Sequence, residues 1–187
     1  GGKYFLNLAF ALVGKMRGGP AKAAILASGL TGMISGSSVA NTVTTGTFTI
    51  PIMKKTGLPP VKAGAVEVAA SVNGQIMPPI MGAAAFVMAE LLGISYLTVV
   101  THAFLPAVIS YIALFYISHL EALKLDIKGL HENEIPPLGK TFLGGIYYLI
   151  PICVLIFRLL FMKWTAATST FYSILTLIVI ILFKEIF

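Results

Sequence analysis

Two short polar clusters interrupt apolar stretches and contain the side chains best suited to bind a ligand. The first lies within residues 35–46, and its candidate binding residues are Ser35, Ser37, Ser38, Asn41, Thr44 and Thr45. The second lies within residues 71–79, and its candidate binding residues are Ser71, Asn73, Gly74, Gln75 and Pro78. Hydroxyl, amide and unwound backbone oxygens are neutral ligands that suit Na⁺ and need no carboxylate. The clusters therefore predict a Na⁺ site, with Ser38, Asn41, Asn73 and Gly74 as its candidate ligands.

A packing role is the simpler alternative for any one of these residues. Serine and threonine hydroxyls in membrane helices often bond to their own backbone, and small residues often only allow close helix packing. Two interruptions rich in amides and hydroxyls, one after the other, favour a binding site. The sequence contains no HExxH motif, no phosphate-binding loop and no GxSxG motif. It therefore predicts neither an enzyme nor an organic cofactor.

The composition places these clusters in a membrane protein. Hydrophobic residues make up 57% of the 187 residues, charged residues make up 11%, and the mean hydropathy is +0.93. Soluble domains carry about 25% charged residues, so this chain cannot cover a water-facing surface. At about 20 residues per crossing, its length allows about five or six helices. The basic residues behind the net charge of +6 are dispersed at helix ends, which indicates membrane topology rather than nucleic-acid binding.

Residues 20–57 allow two interpretations, a single long span or a re-entrant hairpin of two shorter helices. Each arm holds about 15 residues, or about 22 Å of helix, which does not cross a hydrocarbon core of about 30 Å. Both outer ends are basic, with Lys15 and Lys22 at one end and Lys54 and Lys62 at the other. Because cytoplasmic loops are enriched in basic residues, a hairpin that returns to the cytoplasmic side is the favoured interpretation.

The remaining apolar stretches predict one broken helix and three ordinary spans. Residues 61–93 form the broken helix, because Gly74 and the pair Pro78-Pro79 do not fit inside a regular helix. The ordinary spans are predicted at residues 95–119, 141–162 and 168–186. Residues 1–125 are thus expected to form a transport core, residues 126–140 a cytoplasmic loop, and residues 141–187 further transmembrane helices.

Two further expectations come from single features of the sequence. The sequence begins at Gly1 without Met and without a signal-peptide pattern, and we interpret it as a piece of a longer polypeptide. Cys153 is the one cysteine, which excludes an intrachain disulfide and a cysteine-based metal site. Because Cys153 lies in an apolar run, it is predicted to be a packed core thiol.

The residues of both clusters closely resemble the large permease subunit (DctM-like) of tripartite ATP-independent periplasmic (TRAP) transporters. The resemblance is carried by GGPAKAA at 18–24, SGSSVANTVTTGTFTIPIMKKTG at 35–57 and GAVEVAASVNGQIMPPIMGAAAF at 64–86. The VTTG and GQIMPP motifs are most similar to the fused type, in which the small and large membrane subunits share one chain. The resemblance covers about residues 1–125, whereas residues 126–187 fit the family by hydropathy alone.

The resemblance implies a Na⁺-coupled secondary transporter of the prokaryotic inner membrane that imports organic acids or related solutes by an elevator movement. It implies two kinds of partner, an extracytoplasmic substrate-binding protein and a small four-helix membrane subunit or its fused equivalent. It also implies two inverted repeats, each with a re-entrant hairpin and a broken helix. Residues 35–41 and 71–79 match the first hairpin tip and the first helix break, which together resemble the family's first Na⁺ site.

The expected fold is therefore an all-α polytopic membrane protein with a re-entrant helical hairpin and a discontinuous transmembrane helix. It is one half of an inverted-repeat transporter core, because residues 126–187 contain no second polar interruption. Alone, this stretch is not expected to transport. An ion-conducting channel subunit, which can also use a hairpin with a polar tip, and a purely structural membrane subunit stay open as alternatives. A second hairpin and a second GxxxPP-like break further along the chain would favour the transporter.

Overall fold

A computed structural model describes residues 2–186, and these residues form helices and turns with no β-strand among them. The α-helices of this part of the chain are α1 Gly2–Val13, α2 Gly19–Ser35, α3 Ser38–Lys55, α4 Pro60–Gln75, α5 Gly82–Leu92, α6 Tyr96–Lys124, α7 Leu138–Gly144, α8 Leu149–Leu160 and α9 Ala166–Ile186. Short 3₁₀ turns lie at Glu132–Glu134 and Ile146–Tyr148. The all-α class predicted from the sequence is confirmed.

Helices α2 and α3 pack against each other as a hairpin whose turn is two residues long, Gly36 and Ser37. Gly36 adopts a φ of +66°, which glycine reaches at little steric cost, and its N–H donates to the Gly32 carbonyl. Ser37 begins α3 by accepting a hydrogen bond from the Ala40 N–H at 3.3 Å. The arms are 17 and 18 residues long, longer than expected, because residues 38–46 are helical rather than part of a wide turn.

Helices α4 and α5 are two halves of an interrupted helix, and the interruption covers residues 76–81. Pro78 and Pro79 have no N–H to donate to the preceding turn, so α4 ends at Gln75. The break predicted over residues 71–79 therefore begins later than predicted, at residue 76. The first five residues of that range remain helical, because a proline removes hydrogen bonds only from the turn immediately before it.

The outer ends of the hairpin lie at one end of the described structure, which we call the loop end. Ala21 from the start of α2 and Met53 from the end of α3 belong to one buried cluster with Leu58. Ala122 and Ile127, from the end of α6 and the loop after it, belong to the same cluster. The loop after α6 therefore lies on the same side as both ends of the hairpin.

Two ion pairs hold the loop after α6 to the connection between α1 and α2. Arg17 pairs with Asp126 at 2.5 Å, and Lys15 pairs with Glu132. The hydrogen bond and the positive charge of Lys15 lower the pKa of the exposed Glu132 carboxyl. This contact is therefore present at neutral pH and is lost as the pH falls through the lowered pKa.

Helix α6 runs antiparallel to α4 and reaches from the loop end to the interruption. Near the loop end, Lys62 of α4 pairs with Glu121 of α6. Midway, the Tyr111 hydroxyl donates to the Ala70 carbonyl at 3.1 Å. At the other end, the Tyr96 hydroxyl contacts two backbone carbonyls of the interruption, at 2.8 and 2.5 Å. Helix α4 and the interruption are thus both held by one long helix.

One described helix, α6, is long and apolar enough to cross a membrane by itself. The stretches Glu132–Gly144 and Ile146–Leu160 pass the same test only as a pair, and they are bent by 57°. The span predicted over residues 141–162 therefore contains a bend close to its start, between Gly144 and Ile146. The chain bends at Gly145, where an added Cβ would lie 2.1 Å from the Tyr4 ring, so the α7–α8 junction packs against α1 at this point.

Helix α8 packs chiefly on α9, and Ser173 donates to the Pro151 carbonyl at 2.8 Å between them. Cys153 is exposed on α8. The prediction of a packed core thiol is therefore wrong for the described residues, because the face of α8 that carries Cys153 is not covered by them.

Candidate functional site

Six polar side chains from α2, α3 and α4 form what we call the buried polar cluster: Ser28, Asn41, Thr45, Thr49, Glu67 and Ser71. Glu67 is 0% exposed, and its Oε1 accepts hydrogen bonds from Ser28 at 3.0 Å, from Ser71 at 3.3 Å and from Thr45. Its Oε2 accepts from Thr49 at 2.6 Å. No basic side chain of the described residues forms an ion pair with Glu67. Hydroxyl donors therefore offset the cost of burying this carboxyl group.

The cluster follows from the helical spacing of its members. Asn41, Thr45 and Thr49 are four residues apart on α3, and Glu67 and Ser71 are four residues apart on α4. Residues four apart lie on one face of a helix, so each helix presents a polar stripe to the other. Sequence reasoning missed Ser28, Thr49 and Glu67 as members, although this spacing was a usable signal for the last two.

Asn41 joins the two arms of the hairpin to α4. Its Nδ2 lies 3.0 Å from the Ser28 carbonyl oxygen, 2.8 Å from the Ser28 hydroxyl and 3.0 Å from the Ser71 hydroxyl. Because a carbonyl oxygen can only accept, the Ser28 contact fixes which end of the amide is the nitrogen. The Asn41 Oδ1 accepts no hydrogen bond from the described residues, so it is the atom left for a ligand.

Two close glycine pairs bring four helix ends together at the tip of the hairpin. An added Cβ on Gly74 would lie 2.8 Å from the Gly32 Cα, and one on Gly82 would lie 2.4 Å from the Gly36 Cα. The Gln75 Nε2 donates to the Gly36 carbonyl at 3.2 Å. The C-terminal ends of α2 and α4 therefore meet the N-terminal ends of α3 and α5 here. Helix C-termini carry partial negative charge and N-termini partial positive charge, so this place offers both kinds of group.

The other predicted site residues lie around the tip and outside the buried polar cluster. Ser35 and Thr44 are exposed, and the Thr44 hydroxyl bonds back to the Ala40 carbonyl at 2.7 Å. Ser38 and Asn73 are half-buried, and their side chains form no hydrogen bond with any described residue. The structure therefore brings Asn41, Thr45 and Ser71 into direct contact and leaves these four outside that contact.

The backbone carbonyl groups at the end of α4 are less available to a ligand than expected. Those of Asn73 and Gly74 accept tight-turn hydrogen bonds at 3.2 Å from the Ile76 and Met77 N–H groups respectively. Gly74 is buried against α2. These two carbonyl groups, which an unwound break over residues 71–79 would leave free, thus each accept a hydrogen bond in the closing turn.

A second polar pair, of which Lys22 is buried and His119 half-buried, lies between α2 and α6. The Lys22 Nζ is 3.0 Å from the His119 Nδ1. Both residues line a groove of about 680 Å³ that extends to Met77 and Pro78 of the interruption. Pro78 therefore borders this groove as well as ending the helix. Within the described residues, no group of three or more His, Cys, Asp or Glu side chains could hold a metal ion.

Comparisons with known proteins match nearly the whole chain to one transporter family. The family model described as "Tripartite ATP-independent periplasmic transporter, DctM component" matches residues 1–186. The uncharacterized protein YgiK of Salmonella typhimurium is 31% identical over 81% of this chain and 34% of its own length. The uncharacterized protein y4mL of Sinorhizobium fredii is 24% identical over 95% of this chain and 41% of its own length.

A Haemophilus influenzae protein named "Putative TRAP transporter large permease protein" is 27% identical over 82% of this chain and 36% of its own length. The chain thus spans about a third to two fifths of the length of the curated relatives that it matches. The family is one of transporter permease components and not of enzymes. Since the family model covers residues 1–186, the chain belongs to the DctM component family of tripartite ATP-independent periplasmic transporters.

Proposed function

We propose that this chain is one half of the transport core of a Na⁺-coupled permease in the inner membrane of a prokaryotic cell. In this proposal, the full-length permease imports organic acids or related solutes that an extracytoplasmic binding protein delivers. It acts with a small four-helix membrane subunit, fused to the same chain as in the type that the sequence most resembles. A second, inverted repeat completes the core, and the α2–α3 hairpin is re-entrant. The core moves against a scaffold as an elevator.

The observation that carries the proposal is the meeting of four helix ends at Gly36 and Gly82. Transporters use interrupted helices because their C-terminal carbonyl groups can coordinate Na⁺ and their N-terminal N–H groups can face an anionic solute. Here α2 and α4 end beside the starts of α3 and α5. Two helix C-termini and two helix N-termini therefore lie at one point, and this arrangement supports a site for a cation and an organic acid.

The Na⁺ site is proposed at Ser38, Asn41, Asn73 and Gly74. Asn41 and Gly74 approach each other around Gly32, where an added Cβ would lie 3.0 Å from the Gly74 Cα and 3.2 Å from the Asn41 Nδ2. The Asn41 Oδ1 and the side-chain oxygens of Ser38 and Asn73 have no hydrogen-bond donor among the described residues. Neutral oxygens without partners, beside two helix C-termini, are what a desolvated Na⁺ requires.

The test is the Na⁺ dependence of solute uptake by the full-length permease with its binding protein in proteoliposomes. Asn41→Ala and Asn73→Ala each remove one neutral oxygen ligand. A loss of about 1–2 kcal/mol per ligand should raise the Na⁺ concentration for half-maximal uptake by about 5- to 30-fold.

Asn7→Ala is the matched control, because Asn7 is exposed on α1, away from the hairpin tip. It should leave the Na⁺ dependence unchanged. An unchanged Na⁺ dependence in both Asn41→Ala and Asn73→Ala would remove these residues from the site. Uptake that needs no Na⁺ gradient in the wild type would overturn the proposed coupling.

A further inference from the structure

The groove between α2 and α6 combines one basic end with otherwise apolar walls. Lys22 and His119 lie at the basic end, near the start of α2 and the end of α6. Its apolar walls include Leu26, Leu30, Met33, Met77, Pro78 and Phe115. A groove of about 680 Å³ has room for part of a lipid-sized ligand.

Lys22 is unusual because it is 1% exposed and forms no ion pair with an acidic side chain of the described residues. Its ammonium group donates to the His119 Nδ1 at 3.0 Å and lies over the Phe115 ring, 5.4 Å from the centroid. A lysine ammonium has three N–H donors, and only this one hydrogen bond is found among the described residues. Lysine is almost never fully buried unless it is paired, so an anion is the group that this position lacks.

The position of Lys22 along α2 matches the geometry of one membrane leaflet. Lys22 lies close to the loop end, where Lys15 and Arg17 form ion pairs with the loop after α6. The groove runs from Lys22 to Met33, which is about 17 Å along the helix axis. Half of a hydrocarbon core of about 30 Å has nearly the same depth. A headgroup at Lys22 would therefore place an acyl chain along the apolar wall as far as the middle of the membrane.

We propose that this groove binds one anionic phospholipid, whose phosphate accepts hydrogen bonds from Lys22 and whose acyl chain lies along Leu26, Leu30 and Met33. The Lys22 ammonium can only donate to the His119 Nδ1, so a neutral His119 ring carries its proton on Nε2 as a further donor at the same end. The phosphate supplies the negatively charged partner that Lys22 lacks, and the acyl chain of the lipid covers the apolar wall of the groove. This site does not depend on the proposed transport function.

The experiment measures lipid-dependent thermal stability of the full-length protein, purified in detergent without added lipid. Phosphatidylglycerol should raise the unfolding midpoint by about 2–4 °C, because a ligand that binds only the folded state stabilises it. Phosphatidylcholine, which has no net charge, and inorganic phosphate, which has no acyl chain, should each raise it less. In native mass spectrometry, the protein should retain one phosphatidylglycerol molecule.

Lys22→Met keeps a long apolar side chain but removes the charge, and it should abolish both the rise with phosphatidylglycerol and the retained lipid. Lys55→Met is the matched control, because Lys55 is exposed at the end of α3 and forms no ion pair with the described residues. It should behave as the wild type. Leu30→Trp fills the space of the acyl chain while Lys22 stays, and it should also reduce the rise.

Three outcomes would overturn the lipid site. The first is that phosphatidylglycerol raises the unfolding midpoint equally in Lys22→Met and in the wild type. The second is that phosphatidylcholine or inorganic phosphate raises the midpoint of the wild type as much as phosphatidylglycerol does. The third is that the wild type shows no rise, as expected if another segment of the full-length chain fills the groove. Because none of these readouts measures transport, a failure here is distinguishable from a failure of the proposed function.

Discussion

At the scale of single residues, Glu67 is the centre of the buried polar cluster. Its two oxygens accept hydrogen bonds from Ser28, Thr45, Thr49 and Ser71, which come from three helices. No other described side chain connects α2, α3 and α4 through so many hydroxyl groups. The role of Glu67 is therefore to hold the hairpin to α4, close to the tip but not at it.

Removing the Glu67 side chain should destabilise the protein more than replacing its carboxyl group with an amide. Glu67→Ala leaves a cavity and removes the carboxyl acceptor of four hydroxyl groups, of which Thr45 and Thr49 keep a backbone carbonyl acceptor in α3. The free energy of unfolding should fall by about 2–4 kcal/mol. Glu67→Gln keeps the shape and one carbonyl acceptor and should cost about 1 kcal/mol. The measurement is unfolding of the full-length protein in detergent. Glu90→Ala, at an exposed position of α5, is the control and should change little. Equal effects of Glu67→Ala and Glu90→Ala would contradict the central role of Glu67.

Sequence reasoning located the polar residues better than it assigned their partners. Serine, threonine and asparagine in an apolar context are detectable because lipid cannot satisfy them. Whether they face an ion, another helix or their own backbone depends on packing that a single sequence does not specify. Thr44 and Thr45 are adjacent and both hydroxyls bond back to a carbonyl of their own helix, yet only Thr45 also contacts Glu67.

At the scale of helices, a close approach between α2 and α4 determines the shape of the tip. Gly32 and Gly74 face each other so closely that a Cβ on either would meet backbone atoms of the other helix. Backbone atoms cannot move aside as a flexible side chain can. The polar interruption predicted the presence of a break here, but its extent depended on which turn the two prolines disrupt, and α4 stays helical through Gln75.

Gly74→Ala should therefore separate α4 from α2, because its Cβ would lie 2.8 Å from the Gly32 Cα and 3.1 Å from the Gly32 carbonyl carbon. The expected loss is about 1–3 kcal/mol of unfolding free energy, as for overpacked cores. Gly64→Ala, in the same helix, is the matched control. Its Cβ would meet nothing within 4 Å, so it should be neutral or stabilise by up to about 1 kcal/mol. Thermal unfolding of the two variants compares them directly, and equal midpoints would contradict the close approach.

At the scale of the whole molecule, the outer helices present apolar faces that water would not favour. Phe104, Leu105 and Ile109 of α6 are largely exposed in the described structure, as are Phe171 and Ile174 of α9. Contiguous apolar surface of this kind belongs against lipid or against further protein. The composition predicted this directly, because only 11% of the residues are charged.

The packing at the loop end predicts the membrane topology of the hairpin. Both ends of the hairpin and the loop after α6 pack together there, so they should lie on one side of the membrane. Lys15 and Lys55 are both exposed there. Single cysteines at these two positions, in a Cys153→Ser background, should both react with a membrane-impermeant maleimide from the cytoplasmic side. Removing Cys153 is necessary because it is exposed. Thr165→Cys, in the turn between α8 and α9, is the control and should react from the opposite side.

The comparison uses intact spheroplasts and inside-out vesicles from cells that express the full-length protein. Lys15→Cys gives up an exposed ion pair with Glu132, which contributes little to stability, so the labelled protein should keep its fold. If positions 15 and 55 react from opposite sides, residues 20–57 cross the membrane and the hairpin is not re-entrant. If both react from the cytoplasmic side while position 165 does not, the tip at Gly36 and Ser37 lies within the membrane. The helix ends that meet there would then lie at the depth in the membrane where the proposed solute and Na⁺ would be held away from water.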